Sequence, residues 1–155
     1  MTDSREYRVM GFGVGRVRLG CVIVLLAGCA KPPRQPIEDL TGHESLSSYT
    51  LEQVRGTRDG DRLDVEVKLG AGSSTLTVEM HFGIGSPTQL NSGRWQWTHE
   101  GRLTGGTVVE RSVTFLGGQD GPPSIGGRYN LLDQAGVAKY RITIPTTELK
   151  TRLPR

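Results

Sequence analysis

Two tryptophans two residues apart, Trp95 and Trp97, are the first candidates for chemistry in this chain, and it has no others. A spacing of two puts both indoles on one face of a strand. Facing outward, they form a platform on which a sugar or an apolar partner can stack. Facing inward, they are the largest single contribution to a core, roughly 2–3 kcal/mol each or more. Arg94, Gln96 and Thr98 take the opposite face, so the strand has an apolar side only if both indoles point inward; burial is the expectation. The second candidate is Gly117–Gly127, eleven residues without periodicity that include Gln119 and Asp120. Loops of this length serve as recognition elements or as connections. Trp95, Trp97, Gln119 and Asp120 are therefore the candidate binding residues.

The other reactive side chains form no recognised set. His43, His81 and His99 are the only histidines. A Glu79–His81–His99 grouping has no ligand spacing of the kind a zinc site needs. Asp59 and Asp61 flank Gly60 without the twelve-position loop of a calcium site, and a turn accounts for them. There is no Gly-x-Ser-x-Gly elbow for a serine nucleophile. Gly11-Phe12-Gly13-Val14-Gly15 lacks the spacing and strand–helix context of a dinucleotide fingerprint. The expectation is a non-enzymatic protein with no catalytic residues, no metal and no cofactor.

Upstream, Arg16 and Arg18 precede the apolar run Leu19–Leu26, which ends in Ala27-Gly28-Cys29. A positive flank, a short apolar stretch and small residues before a cleavage point are the layout of an export signal. The run is too short to span a bilayer, which takes roughly twenty apolar residues. Leu26-Ala27-Gly28-Cys29 resembles the lipobox of bacterial lipoproteins. That resemblance implies cleavage before Cys29, thioether lipidation of its sulfur and acylation of the new N-terminus. It implies a membrane-attached protein of the cell envelope. Since Ala30 rather than aspartate follows the cysteine, it implies the outer membrane if the cell is Gram-negative. Asp3 and Glu6 are unusual in such a leader, and a start at Met10 gives a more compact one. The signal peptide is residues 1–28.

Removing that leader changes the charge. It carries four arginines against Asp3 and Glu6, so fifteen basic and fourteen acidic side chains remain in residues 29–155. A near-neutral mixture without a Lys/Arg stripe gives no nucleic-acid reading. Cys21 leaves with the signal and Cys29 becomes the anchor, so the mature domain must cohere without disulfides. Residues 29–48 read as the lipidated cysteine followed by a flexible tether: Lys31 to Pro36 holds three prolines, and Thr41 to Ser48 is small and polar. Ile37 to Leu40 is an alternative extra strand. Fully extended, the tether reaches about 50 Å.

Beyond Ser48 the pattern has period two. Leu63, Val65, Val67 and Leu69 alternate with Asp64, Glu66 and Lys68; Leu76, Val78, Met80 and Phe82 alternate with Thr75, Thr77, Glu79 and His81. Asp59-Gly60 predicts a hairpin between Tyr49–Gly56 and Leu63–Leu69. Gly70–Ser73 turns into Thr75–Phe82. Arg94–His99, Thr107–Leu116, Tyr129–Leu132 and Val137–Ile144 complete seven predicted strands, with Asp133–Gly136 as a turn and Pro145 as the stop. Strands without helices close as a sandwich or barrel. The expected fold is an all-β, seven-stranded antiparallel β-sandwich, with a small meander β-barrel as alternative. The domain spans 49–145, followed by a polar tail at 146–155.

The functional expectation is a lipid-anchored envelope lipoprotein that binds an envelope protein partner or supports envelope structure. The alternative is a ligand-binding module for a glycan or apolar molecule, using the Trp95/Trp97 strand or the 117–127 loop.

Overall fold

The predicted alternation is carried into three dimensions without exception in the central strands. Every apolar residue of the two best period-two runs, Leu63 to Leu69 and Leu76 to Phe82, is at most 2% exposed. The computed structural model describes residues 34–85, 87–117 and 122–149. The leader, Cys29, Gln119 and Asp120 lie outside the described residues.

Eight strands are present: β1 (Ile37–Asp39), β2 (Thr50–Asp59), β3 (Arg62–Ala71), β4 (Ser74–Gly83), β5 (Gln89–His99), β6 (Arg102–Leu116), β7 (Ser124–Leu132) and β8 (Ala138–Glu148). All pairings are antiparallel, within one sheet of order β1-β8-β7-β6-β5-β4-β3-β2. The chain is thus all-β, as the alternation requires. From β2 to β8 each strand pairs with the next, which is the connectivity of the meander alternative. The two layers of the core are two parts of one curled sheet.

The curl can be read from side chains. β4 and β7 are three positions apart, roughly 14 Å in a flat sheet, yet the rings of Phe82 and Tyr129 are 6.1 Å apart. β5 and β8 are equally separated, and Trp97 lies 4.9 Å from Tyr140. β1 and β2 do not pair, so the barrel is open along that seam. Side chains bridge it. Leu149, just past β8, packs on Gly56 of β2 so closely that a Cβ there would lie 2.5 Å from its methyl group. The Leu149 amide donates to the Pro123 carbonyl at 2.8 Å.

Four boundaries differ from the sequence reading. First, the domain starts before residue 49. Ile37, inside the predicted tether, is fully buried on β1 opposite Ile142, and Leu46 and Tyr49 are 5% exposed. The prolines made this stretch look like linker, but one isoleucine suffices to anchor a short edge strand. Second, the 117–127 loop is shorter, because β7 begins at Ser124 and Ile125 is buried. Gly126 and Gly127, read there as loop, are packing devices: a Cβ would lie 2.9 Å from the Thr146 backbone at the first and 2.1 Å from the Ser112 carbonyl oxygen at the second.

Third, Pro145 does not end β8. Ile144 pairs with Gly127 and Thr147 with Ile125, so Pro145 and Thr146 together oppose Gly126. That is a β-bulge, where proline is tolerated. Fourth, β5 and β6 form a hairpin through Glu100 and Gly101, at φ 48° and 73°. A non-glycine residue at positive φ is uncommon, and the sequence carries no Asn-Gly or Asp-Gly signal at that turn.

These boundaries generate a test. Residues 34–155 should fold alone. A fragment confined to 49–145 lacks Ile37, Leu46 and Leu149, each a burial of about 1.5–3 kcal/mol. Against a typical domain stability of about 5–15 kcal/mol, urea denaturation should find it unfolded or close to it. Equal midpoints for the two fragments would show that the seam contacts contribute nothing.

Candidate functional site

The four aromatic side chains at one end of the half-barrel come from three separate parts of the chain. β5 supplies Trp95 and Trp97, the segment before β2 supplies Tyr49, and β8 supplies Tyr140. Both tryptophans are 3% exposed, as the polar residues Arg94, Gln96 and Thr98 on the other face require. The Trp97 indole N–H donates to the Tyr49 hydroxyl at 2.9 Å, and the rings meet edge to face at 5.5 Å. Tyr140 meets both indoles edge to face, at 4.9 and 5.9 Å. The Trp95 indole N–H donates to the Leu132 carbonyl at 2.7 Å.

That last bond shapes the site. Leu132 is on β7, so the indole must pass across β6. It does so over Gly106, where a Cβ would lie 1.9 Å from the Leu132 carbonyl oxygen and 3.0 Å from the indole nitrogen. A Cβ on Gly105 would instead meet the Trp95 carbonyl oxygen, at 2.6 Å, and the Gln96 side chain on the other face. β6 pairs with β5 from Arg102 to Thr107, but with β7 only from Thr107 onward. Residues 102–106 therefore have a sheet partner on one side only. The space beside them is a notch of about 720 Å³.

Trp95, Leu103, Ala135 and Tyr140 form the apolar part of its lining. Leu103 is 67% exposed, the most exposed of the large apolar residues described. Two aspartates build the walls. The Asp39 carboxylate accepts from the Thr41 hydroxyl at 2.6 Å and from the Thr41, His43 and Glu44 amides at 2.7–2.8 Å. The Thr41 hydroxyl first, with the three amides, holds its pKa far below the usual carboxylate range against the opposing effect of burial. Asp133 accepts from the Ala135 and Val137 amides at 2.9 Å and sits 3.6 Å from the Lys139 ammonium. The Val137 amide is the chief cause of its lowered pKa. Burial, then the charges of Glu44 and Asp39 and the Tyr49 hydroxyl, push the Tyr140 phenol up to about 12. Tyr140 is therefore a neutral hydroxyl at the wall.

The histidines do not converge. His81 lies on the convex face, its Nδ1 2.6 Å from an Asp64 carboxylate oxygen that also accepts from Arg62. Burial alone would raise the Asp64 pKa, but the bonds from His81 and Arg62 outweigh it. Glu79 is ion-paired with Arg94. His99 sits beside Trp97 on the inner side, its Nδ1 2.6 Å from the Ser74 hydroxyl. Among the described residues, no group of three His, Cys, Asp or Glu is placed to hold a metal.

Sequence reasoning singled out Trp95 and Trp97 but missed the notch. The predicted strand starts at Thr107 whereas β6 starts at Arg102, so the β6 residues that line the notch fall outside it, although a glycine opposite a tryptophan, as Gly106 is, signals close packing. Leu103 carried no signal, while Gln134 falls in the predicted Asp133–Gly136 turn and Tyr140 on the predicted Val137–Ile144 strand without any binding role.

Two outcomes are expected. Trp95→Ala and Trp97→Ala should each cost about 3–5 kcal/mol, and the native tryptophan emission should be blue-shifted and resist iodide. Variants melting within a degree or two of the parent would refute the packing role. The pH response follows from the lowered folded pKa values of Asp39 and Asp133. Their contribution is complete above the ordinary value of 3.8 and is lost as pH falls below it. In NMR spectra, the Ala135 and Val137 amide resonances should therefore move as one group and those of Thr41, His43 and Glu44 as another, each only below that value and the second group at lower pH; resonances that move at or above it would contradict the caging. In comparisons with known proteins, no family model, no curated protein and no solved structure matches the chain.

Proposed function

We propose that this protein is a lipid-anchored cell-envelope lipoprotein, attached through Cys29, whose non-enzymatic β domain engages a protein partner or supports envelope structure. The observation that carries the reading is Leu26-Ala27-Gly28-Cys29 at the end of an apolar run, followed after only seven residues by the first strand at Ile37. Seven residues reach at most about 25 Å. With the first strand built into the sheet, the anchor holds the domain close to the bilayer. In a Gram-negative cell, Ala30 after the cysteine favours the outer membrane.

The inward tryptophans bear on what the domain binds. A sugar-stacking platform needs an exposed ring face, and both indoles are committed to Tyr49, Tyr140 and Leu132. This supports a protein partner over a glycan module built on the Trp95/Trp97 strand.

Cys29→Ser should leave unprocessed precursor that carries no lipid. The parent protein should partition into detergent and resist salt extraction, since two or more acyl chains anchor stably where one does not. Intact-mass analysis of the native protein checks this directly: an unmodified Cys29 overturns the reading.

A further inference from the structure

The unpartnered stretch of β6 is the feature that nothing above has used. Leu103, Thr104 and Gly105 line the notch with a strand edge that no described strand pairs on the β7 side. A strand edge presents main-chain donors and acceptors at regular spacing, and its natural complement is another extended chain. Folds commonly cover such edges with charge, proline or a bulge. Here the edge carries neither a proline nor an acidic residue between Leu103 and Thr107, and its central residues are glycines.

We propose that this notch is a docking site for an extended peptide segment of the protein partner, which adds as a short strand beside Leu103–Gly106. The inference rests on the partner-binding reading above and names where and how that partner is held. Strand addition brings the two backbones to about 4.8 Å, and Gly105 and Gly106 raise no side chains against that approach. Side chains of the added strand alternate between faces. One set points inward over Trp95 and Tyr140; the other lies outward beside Leu103. The notch, about 720 Å³, matches a segment of only a few residues.

The charge lining selects the chemistry of the segment. Asp39 is caged by Thr41, His43 and Glu44, and Asp133 is bound to its own turn and paired with Lys139. Lys139 offsets Asp133, but among the described residues no salt bridge offsets Asp39 or Glu44, whose charges act on Tyr140, so that side of the opening is negative. The favoured occupant is therefore an extended segment with an apolar residue at every second position and no acidic side chain. Gln134, exposed on the β7–β8 turn, overhangs the notch from the side opposite β6.

The test uses the full-length protein in detergent micelles and a random octapeptide display library. Selected peptides should show period-two apolar patterning. Their synthetic forms should bind at least about tenfold more weakly when alternate amides along one edge are N-methylated, because each methyl removes a main-chain hydrogen bond. Gln134→Trp fills the notch from an exposed turn and should produce a comparable loss without lowering the melting temperature.

Failure to enrich peptides beyond the Gln134→Trp protein overturns the proposal, as does binding indifferent to N-methylation. Displacement of the peptides by chitotetraose or maltotetraose would also overturn it and identify a glycan site. Cys29→Ser protein should bind the peptides as the parent does, so loss of the anchor and loss of the docking site are separately visible.

Discussion

Closure of this half-barrel depends on the Trp97 indole. The sheet has two free ends, β1 beside β8 and β2 on the far side, and no main-chain bonds join them. Trp97 stands on β5, midway between, and touches both sides: Tyr140 on β8 and Tyr49 leading into β2. Its N–H is satisfied by the Tyr49 hydroxyl, so the contact combines apolar burial with a directional bond inside the core. At the other end of the barrel Leu149 plays the corresponding part against Gly56. Side chains thus hold shut a seam that main-chain pairing leaves open. For that reason the segment around Ile37 and the residue after β8 belong to the folded unit.

The second indole opens what the first helps to close. Trp95 reaches over β6 to the Leu132 carbonyl, and beyond Leu132 β6 and β7 part company. The bond requires Gly106 beneath it. The result is an interruption in the wall, floored by aromatic side chains and flanked by two turns that aspartates have tied off. The same constraint that packs the core therefore leaves residues 102–106 of β6 as a strand edge with room beside it. Carboxylates that accept several amide bonds, as Asp39 does, add local rigidity and stay ionised, so this wall keeps a negative charge. Recognition is left to main chain and apolar surface, with the Asp39 and Glu44 charges beside Tyr140 disfavouring acidic segments.

The convex face has a different character. Arg62, Asp64 and His81 share one cluster, and Arg94 pairs with Glu79. Exposed pairs of this kind contribute little to stability, on the order of 0–1 kcal/mol. They keep the outer surface polar and in register across β3, β4 and β5, while the stability resides on the concave side.

Much of this was legible in the residues. Period-two alternation at Leu63–Leu69 and Leu76–Phe82 determined the strands, their inner face and the all-β class, because a strand with one apolar side has one way to bury it. Arg94, Gln96 and Thr98 determined that Trp95 and Trp97 turn inward. Asp59-Gly60 and Asp133–Gly136 marked two turns by their chemistry. The lipobox-like segment bears on attachment through sequence alone, since an enzyme that modifies a cysteine reads a linear motif. Tertiary structure decided the rest. That Ile37 pairs with Ile142, that Pro145 is accommodated by a bulge, and that Glu100 takes a left-handed turn depend on partners far away in sequence. So does the notch: glycine pairs look alike in a loop and beneath an indole, and only the curl of the sheet, which sets Trp95 over Gly106 and stops β7 at Leu132, distinguishes them.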